Sequence, residues 1–346
     1  MKTIELYGSS FDIGLKHGEL GKMEVHRSLE TYEKLFKSYA SLSWKKAKEL
    51  ALYHLDAIHS YRPEYVTEME GIARGAGVDF EDILAINTRS EIALTNAPDG
   101  CTSLAITEPR TSKTWLAQNW DWKGEQSAAL LFLKINQQDK PNIQMITEGG
   151  IIGKIGCNDA GVGVCLNAIT TNTLEKKVPI HLGLRAILDS CSFEKAVSCV
   201  NNNQMASPAH FLIASREKKI VSLEVSPIYT AQLDTTNGML VHTNHICSSV
   251  LKEVVTDSPK EDSFQRLTVI EKLLSSLDRN AGAADIFSVL SNHENYPDSI
   301  CRHDNPKRVA HENMETVFSI AMDLTSNEVS LIVGQPCIGS QQKLLL

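Results

Sequence analysis

The chain has 346 residues, of which 42% are apolar and 22% are charged. A chain of this size and composition can bury a large core, so we expect a globular protein of one large domain or two ordinary ones. The net charge of -8 and the pI near 5.8 give no general attraction to phosphate backbones or anionic lipids, which argues against nucleic acid and membrane partners.

Secretion and membrane insertion are also disfavoured by the sequence. The first residues lack the apolar stretch and cleavage site of a signal peptide, and no later stretch approaches the ~18 uninterrupted apolar residues of a transmembrane helix. The eight cysteines are scattered without C-x-x-C spacing, and this is typical of free thiols in a reducing compartment. We therefore expect a cytoplasmic protein.

The first hundred residues are predicted to be mainly helical. After a short strand over residues 3–7, apolar side chains recur at three-to-four spacing over residues 11–39, which predicts an amphipathic helix. Two further helical stretches are predicted around residues 44–60 and 62–76. Pro63 suits the first turn of the second stretch, where its missing N–H has no helical partner.

From residue 101 onwards the pattern changes to short apolar or alternating runs, which predict strands and hairpins. The predicted strands cover residues 102–106, 114–117, 130–135, 143–147, 153–156, 162–166, 211–214, 220–225, 316–322 and 329–333. Helices are predicted at about 180–190, 193–203 and 259–276, the last from the apolar residues Phe264, Leu267, Ile270, Leu273 and Leu274. Because helices and strands come in blocks, an α+β fold is favoured over strict βαβ alternation.

The junction between these two parts carries the segment Asp99-Gly100-Cys101-Thr102-Ser103. Gly100 presents an unhindered carbonyl that the Cys101 sulfur can attack, which shifts the acyl chain from nitrogen to sulfur. Hydrolysis of that thioester would free the α-amine of Cys101, whose unperturbed pKa near ~8 lets it act as the base for its own thiol. The alternative is that Cys101 is a buried small apolar residue.

Asp121 follows about twenty residues later, on what we predict to be the next strand of a hairpin. There it would come near the Cys101 amine and hold its charged form or its orientation, whereas the alternative is an ordinary turn aspartate. Trp120 and Trp122 flank it and are interpreted as packing residues or walls of a substrate pocket.

The segment Val241-His242-Thr243-Asn244-His245 ends an apolar run with polar side chains that could face a pocket. The Asn244 amide would suit an oxyanion hole, because it donates hydrogen bonds without titrating. Asn244 as a turn residue is the alternative. His242 and His245 could instead form a metal pair, but no Cys or His cluster near them in sequence supplies the remaining ligands.

Two other segments contain residue types that are common in ligand-binding sites. Arg302 could pair with Asp121 or with a substrate carboxylate, although a surface arginine is the simpler interpretation. The Gly-rich run over residues 148–154 resembles a phosphate loop only superficially, because its glycine spacing is wrong and Ile155 stands where Ser or Thr is needed. Nucleotide binding is therefore rejected for this run.

Taken together, these motifs resemble the acyl-coenzyme A:6-aminopenicillanic acid acyltransferase (isopenicillin N acyltransferase) family and its amidohydrolase-like relatives. The resemblance runs along nearly the whole chain. The matching segments are Phe11-x-Ile13-Gly14-x-x-His17-Gly18, Glu70-Gly71-Ile72-Ala73-x-Gly75, Leu84-x-x-Asn87-Thr88-Arg89-x-Glu91, Asp99-Gly100-Cys101-Thr102, Gln118-Asn119-Trp120-Asp121, Ile146-Thr147-Glu148-x-Gly150-Ile151-Ile152-Gly153-Lys154, Leu223-Glu224-Val225-Ser226-Pro227, Val241-His242-Thr243-Asn244-His245 and Asn295-Tyr296-Pro297-x-Ser299-Ile300-Cys301-Arg302.

The resemblance implies an N-terminal-nucleophile fold, which is an α+β four-layer αββα sandwich made as a precursor. It implies that residues 1–100 form a mainly helical α chain, which stays with the enzyme after cleavage between Gly100 and Cys101. Residues 101–346 then form a sheet-rich β chain, and the two chains make one structural domain.

The resemblance also implies roles for individual residues. Cys101 is similar to the family's nucleophile, Asp121 to the residue that supports its amine, and Asn244 to the oxyanion-hole side chain. Arg302 is similar to the charged partner needed for processing or substrate placement. The residues expected near the substrate pocket are Trp120, Trp122, Glu224, Ser226 and His245.

We therefore interpret the sequence as a self-cleaving cysteine acyltransferase or amidohydrolase that acts on linear amide bonds without a cofactor or metal. Its partners would be a small-molecule acyl donor, such as an acyl-CoA or an N-acyl amino compound, and an amine or water as acceptor. A plain amidohydrolase of small amine conjugates, a non-catalytic ligand-binding module and a metal-dependent hydrolase that uses His242 and His245 are the alternatives. Assembly into a homo-oligomer is left open.

Overall fold

The computed structural model describes residues 1–92, 100–309 and 312–345, so Asp99 of the predicted cleavage segment lies outside the described residues. Within these ranges the strands form an eight-stranded and a six-stranded sheet. The eight-stranded sheet contains, in spatial order, β1 (Lys2–Tyr7), β4 (Leu130–Asn136), β5 (Ile143–Glu148), β6 (Ile155–Asn158), β7 (Val162–Ala168), β8 (Ala209–Ser215), β9 (Ile220–Val225) and β10 (Ala231–Leu233). The six-stranded sheet contains β11 (Met239–His242), β2 (Gly100–Ile106), β3 (Trp115–Trp122), β12 (Glu315–Asp323), β13 (Glu328–Val333) and β14 (Gln342–Leu345).

Helices cover the outer faces of both sheets. They are α1 (Ser10–Leu20), α2 (Lys22–Ala40), α3 (Trp44–Leu52), α4 (Leu55–Tyr61), α5 (Pro63–Ala76), α6 (Phe80–Asn87), α7 (Arg89–Ile92), α8 (Ile180–Leu188), α9 (Phe193–Ser198), α10 (Ser249–Val254), α11 (Glu261–Ser275) and α12 (Ala283–Leu290). Strands β2 and β3 pack against β7 and β8, while α2, α8 and α9 contact the eight-stranded sheet and α11 and α12 the six-stranded one. The expected α+β four-layer αββα sandwich is confirmed.

Strands β2 and β3 are buried on both faces, and this decides where Cys101 points. Successive side chains of a strand face opposite sides of the sheet. Leu104 and Ile106 pack in the cluster under α11 and α12. Cys101 and Ala105 belong instead to the main core between the two sheets. The Cys101 side chain therefore faces the interior of the sandwich.

The predicted single helix over residues 11–39 is wrong, because α1 ends at Leu20 and α2 begins at Lys22. Gly21 leaves helical geometry with φ −100° and ψ 19°, and its N–H donates to the His17 carbonyl. A Cβ at Gly21 would lie 2.8 Å from that carbonyl oxygen and 2.8 Å from Leu131. The apolar spacing continues across this break, so the pattern alone could not show it.

Other differences have similarly local causes. Helix α9 ends at Ser198 rather than near residue 203, because three consecutive asparagines follow and Asn203 adopts φ 57°. The apolar stripe predicted for α11 also needs correction. Phe264 is 45% exposed, whereas Arg266 is 1% exposed and faces inward. Helices α6, α7, α10 and α12 fall outside the predicted helical ranges.

Helices α1 and α5 approach each other closely through reciprocal glycines. A Cβ on Gly14 would lie 2.0 Å from the Glu68 carbonyl oxygen, and one on Gly75 would lie 2.2 Å from the Leu15 carbonyl oxygen. Only glycine permits backbones to approach at this distance. The contact explains the spaced glycines of both motifs in this part of the sequence.

The helical prefix and the remainder of the chain share one hydrophobic core. Strand β1 pairs in parallel with β4, and side chains such as Val25 and Ile86 pack in the same cluster as Leu131 and Phe318. The prefix is thus packed as an integral part of the sandwich.

Along the described chain, no helix combines the length and apolar character needed to cross a bilayer.

Candidate active site

Cys101 is the second residue of β2, and the predicted hairpin that carries it is confirmed. In the antiparallel register of β2 and β3, Gly100 lies opposite Asp121 and Cys101 opposite Trp120. Because residues directly opposite share a face, Cys101 and Trp120 point into the core between the sheets, and Asp121 points toward the helical layer. The thiol and the carboxylate therefore lie on opposite faces of one hairpin end.

Residue 100 has no space for a side chain. A Cβ at Gly100 would lie 2.9 Å from both Cβ and Oδ2 of Asp121, and 3.1 Å from Nε of Arg302. Gly100 does not need a left-handed backbone, since it is not among the residues with positive φ. The glycine is therefore required by the close approach of the Asp121–Arg302 pair to the Gly100–Cys101 peptide.

The backbone of Cys101 is held on both sides of its Cα. Its N–H donates to Oδ1 of Asn244 at 2.9 Å, and its carbonyl oxygen accepts from Nη1 of Arg266 at 2.5 Å. Arg266 also donates to Oδ1 of Asn244 and to Oγ1 of Thr102, each at 2.9 Å. One guanidinium therefore fixes the first residues of β2 together with the Asn244 side chain, two residues beyond β11.

Asn244 presents its oxygen, rather than its amide N–H₂ group, to Cys101. Two donors converge on Oδ1, so this orientation follows from the hydrogen-bond network. Its Nδ2 donates to the Ala168 carbonyl at 3.1 Å, and its backbone N–H donates to Oγ of Ser263 at 2.8 Å. In this conformation Asn244 accepts from the Cys101 N–H.

Asp121 is fully buried and paired with Arg302. Nε of Arg302 donates to Oδ2 of Asp121 at 3.2 Å, and Oγ1 of Thr316 donates to Oδ1 at 2.7 Å. Burial raises the pKa of Asp121 above its usual value, although Arg302 and Arg266 act to lower it. The ion pair that the sequence suggested between Asp121 and Arg302 is thus present in the structure.

The second carboxylate of this network, Asp262, connects the two arginines. It accepts from Nε of Arg266 at 3.1 Å and also from Arg302. Burial opposes ionisation of Asp262, but the two guanidinium groups outweigh it and lower the pKa of this carboxyl. Arg302 further pairs with Asp298, which Arg308 contacts at 2.6 Å. A continuous charged network therefore runs from the Cys101 carbonyl to Asp121.

The two tryptophans lie on the inner side of the hairpin and are buried. Their ring centroids are 6.2 Å apart, and Nζ of Lys154 lies 3.2 Å from the centroid of Trp120. Lys154 also pairs with buried Glu148, whose pKa is raised by burial but lowered more strongly by Lys154 and Arg89, to about 2. The lysine of the rejected phosphate loop is thus part of a buried ion-pair cluster.

The remaining pocket candidates lie beyond Asn244, and His245 shares the Ser263 hydroxyl with the Asn244 backbone N–H. Nε2 of His242 is 2.9 Å from Glu224, whereas Nδ1 of His245 is 2.8 Å from Oγ of Ser263. The two histidines, for which a metal pair is the disfavoured alternative, therefore contact different partners. Ser226 accepts from the Tyr229 N–H at 2.9 Å and closes a local turn. His242 lies opposite Ser103 on the neighbouring strand, which connects this network to β2.

Three residues of the site, Arg266, Asp262 and Thr316, are not among the candidates that the sequence motifs single out. A signal for Arg266 was present, because Ser263, Arg266, Ile270 and Leu274 follow the three-to-four spacing of one helix face. That face was assigned from apolar residues alone. Thr316 was placed in a predicted strand, but nothing in its neighbourhood indicated that it would lie beside Asp121 in the β3–β12 register.

The arrangement suits nucleophilic acyl chemistry. A cysteine side chain lies beside a glycyl carbonyl, the N–H of the same peptide bond is held by an amide oxygen, and a buried carboxylate–guanidinium pair abuts the glycine. Such fixed geometry lowers the entropic part of a barrier.

Two solved structures show a weak likeness to this chain. They are a mutant of conjugated bile acid hydrolase from Clostridium perfringens (12% identity, TM-score 0.46, covering 71% of this chain and 97% of that one) and penicillin V acylase from Agrobacterium tumefaciens (12%, 0.44, 71% and 86%). Scores of this size do not establish a common fold by themselves.

The sequence comparisons are stronger. A model of the family described as "Acyl-coenzyme A:6-aminopenicillanic acid acyl-transferase" matches residues 107–337, a range that contains Asp121, Asn244 and Arg302. The "Acyl-coenzyme A:6-aminopenicillanic-acid-acyltransferase 40 kDa form" of Emericella nidulans is 34% identical over 343 residues, which cover 97% of this chain and 93% of that protein. The chain is therefore a member of the acyl-coenzyme A:6-aminopenicillanic acid acyltransferase family.

Proposed function

We propose that the chain cuts itself between Gly100 and Cys101, and that Cys101 then acts as an N-terminal nucleophile that carries acyl groups to water or to an amine. The observation that carries the proposal is the pair of hydrogen bonds that hold Cys101. Asn244 accepts from its N–H and Arg266 donates to its carbonyl oxygen, directly beside a glycine whose place a larger residue could take only if Asp121 moved.

The cutting step is a shift of the acyl group from nitrogen to sulfur. The Cys101 sulfur attacks the Gly100 carbonyl carbon, the carbon–nitrogen bond breaks, and the thiol proton moves to the departing nitrogen. Water then hydrolyses the thioester, which leaves a carboxylate on Gly100 and a free thiol and α-amine on Cys101. The hydrogen bond from the Cys101 nitrogen to Asn244 would fix the orientation of the new amine.

Turnover repeats this chemistry on an external substrate. The sulfur attacks the carbonyl of an amide or thioester, and the proton moves through the α-amine to the leaving amine or thiol. The acyl-enzyme then passes its acyl group to water or to an acceptor amine. Acyl-CoA is a candidate donor because the relative from Emericella nidulans is named for it, and small N-acyl amino compounds are candidates by the same chemistry.

Two further roles belong to the proposal. Asp121 and Arg302 would fix the Gly100 side of the cut bond, since both lie in contact distance of residue 100. The helical prefix would stay bound after the cut, because it shares the hydrophobic core with the β chain. The cytoplasmic location expected from the sequence stays a prediction.

The test of self-cleavage is the intact mass of the purified protein under denaturing, reducing conditions. We expect two fragments, residues 1–100 and 101–346, for the wild type and one 38.2 kDa species for Cys101→Ala. Cys191→Ala, which alters an exposed cysteine elsewhere, should cleave like the wild type. An uncut wild type, or cleavage of Cys101→Ala, would refute the proposal.

Turnover is tested separately on protein that has been cut. A thioester adduct on Cys101, trapped with a slow acyl donor and located by peptide mass, is expected and would exclude a non-catalytic binding module. Product release that depends on an added amine would indicate transfer, whereas release of free acid alone would indicate a plain amidohydrolase. Activity that survives in Cys101→Ala but is lost with a chelator would instead support the metal hydrolase.

A further inference from the structure

Two histidines and two cysteines converge beside Arg302, outside the network described above. His293, Cys301 and His303 come from the loop that follows α12, and Cys337 comes from the segment after β13. Their candidate ligand atoms all lie within 4.8 Å of one another. Neither Cys301 nor Cys337 is in a disulfide.

Four of the six distances among these atoms are close to the edges of a tetrahedron around a metal ion, and the other two, from His293 to the sulfurs, are within 4.8 Å. The two Sγ atoms are 3.6 Å apart, Nε2 of His303 lies 3.6 Å from Cys301 Sγ and 3.5 Å from Cys337 Sγ, and the two Nε2 atoms are 3.1 Å apart. Zinc bonds of about 2.3 Å to sulfur and about 2.05 Å to nitrogen give tetrahedral edges of about 3.8, 3.6 and 3.3 Å for the same three kinds of pair.

Hydrogen bonding alone does not account for this arrangement. Nε2 of His303 has three neighbours at 3.1 to 3.6 Å, namely the Nε2 of His293 and the two sulfurs. A ring nitrogen offers one proton or one lone pair in the ring plane, so it can satisfy one of these neighbours well. A cation at the centre would be bound by all four atoms at once.

We propose that His293, Cys301, His303 and Cys337 form a structural zinc site. Two thiolates and two imidazoles are a donor set that zinc favours over harder cations such as magnesium or calcium. With four protein ligands the site would be closed, so it would bind the metal for stability and not for catalysis.

The site would also position Arg302, which lies between two of its ligands in sequence. The Cys301 N–H donates to the Asn292 carbonyl, and the His303 N–H donates to the Pro297 carbonyl, so the loop folds back on itself. A metal bound by Cys337 would tie this loop to the end of the β12–β13 hairpin. Arg302 would then be held between the metal site and Asp121.

The test measures zinc in the full-length protein, purified from zinc-supplemented culture without chelators. We expect close to one zinc per chain in the wild type and in the control Cys191→Ser, which alters an exposed cysteine outside the site. Zinc content should be near zero in Cys337→Ser and in His293→Ala, which removes an exposed ligand. Cobalt(II) added to metal-depleted wild type should give the visible bands of tetrahedral cobalt with a thiolate charge-transfer band, and Cys337→Ser should lack the charge-transfer change.

Two results would overturn the proposal. One is zinc content in the wild type no higher than in Cys337→Ser, with both folded by circular dichroism. The other is a Cys301–Cys337 disulfide in the protein as purified, seen as a mass lower by two hydrogens before reduction, because oxidised sulfurs cannot bind the metal. Neither readout depends on self-cleavage or turnover, so the site is tested independently of the proposed function.

Discussion

Replacing Gly100 by alanine tests whether the close approach of Asp121 and Arg302 controls the cutting step. The added Cβ would lie 2.9 Å from Cβ of Asp121 and 3.1 Å from Nε of Arg302. Carbon atoms pack at about 3.5–4.0 Å, so the hairpin end or the Asp121 side chain must move by at least about 0.6 Å. The backbone itself accepts alanine, because φ at residue 100 is not positive.

The expected effect is on rate rather than on folding. A displacement of about 1 Å in a positioned reacting group costs about a hundredfold in rate, so the smaller shift here should slow self-cleavage by roughly 10- to 100-fold. A hundredfold change corresponds to about 2.7 kcal/mol of activation free energy. The melting temperature should change little, because a small shift at one strand end does not remove core packing.

The assay follows the fraction of uncut chain with time after rapid purification, by intact mass. Gly282→Ala is the matched control, since a Cβ there would meet a single atom, Oδ2 of Asp285, at 3.9 Å. It should cleave at the wild-type rate. Cleavage of Gly100→Ala at the wild-type rate would refute the reasoning and show that the Asp121–Arg302 pair does not constrain the cut bond.

Three further predictions concern stability and are made in the uncut Cys101→Ala background. Arg266→Met should lower the free energy of unfolding by about 3–5 kcal/mol, because it breaks a buried ion-paired network. With an unfolding entropy of about 2.1 cal/mol/K per residue for 346 residues, this corresponds to a fall of about 4–7 °C in melting temperature. Lys272→Met, on the exposed face of the same helix, is the control and should show no such fall. Arg302→Met should lower the free energy of unfolding more than Asp121→Asn does. In Arg302→Met, Asp121 stays buried without its guanidinium partner, whereas in Asp121→Asn, Arg302 keeps its ion pairs with Asp262 and Asp298. Equal losses of unfolding free energy, measured by chemical denaturation, would contradict this. His242 is buried, which lowers its pKa, but hydrogen bonds with Cys247 and Glu224 outweigh burial and raise the pKa to about 9. Because the folded-state pKa lies above the ordinary 6.5, the stabilisation by protonated His242 is complete below pH 6.5 and is lost as the pH rises through 9. The difference in unfolding free energy between the Cys101→Ala background and the same background with His242→Gln should therefore shrink by about 3 kcal/mol between those pH values. A constant difference would contradict the assignment.

The layered fold and the hairpin of Cys101 could be predicted because their signals are local. Blocks of helical and strand periodicity gave the α+β class, and the short β2–β3 hairpin brought Gly100 opposite Asp121 at a sequence distance that a turn can close. Asn244, two residues beyond β11, could be predicted because polar side chains there end an apolar run.

Arg266 could not be found in the same way, since its contact with the Cys101 carbonyl joins residues 165 positions apart. In sequence it stands four residues after Asp262, which is also the pattern of an exposed helical ion pair. The four ligands of the proposed zinc site were missed for a related reason. Cys337 lies 36 residues beyond Cys301, and only the β12–β13 hairpin brings them together.

Because residues 1–92 share a core with the rest of the sandwich, cleavage would change how the protein unfolds and refolds. Before the cut, unfolding and refolding are events within one chain, independent of protein concentration. After the cut, unfolding would also separate two chains, and refolding would require them to reassociate. Recovery from denaturation would then depend on protein concentration and compete with aggregation of the β chain. Cleavage would thus free the nucleophile but make refolding of the enzyme less efficient.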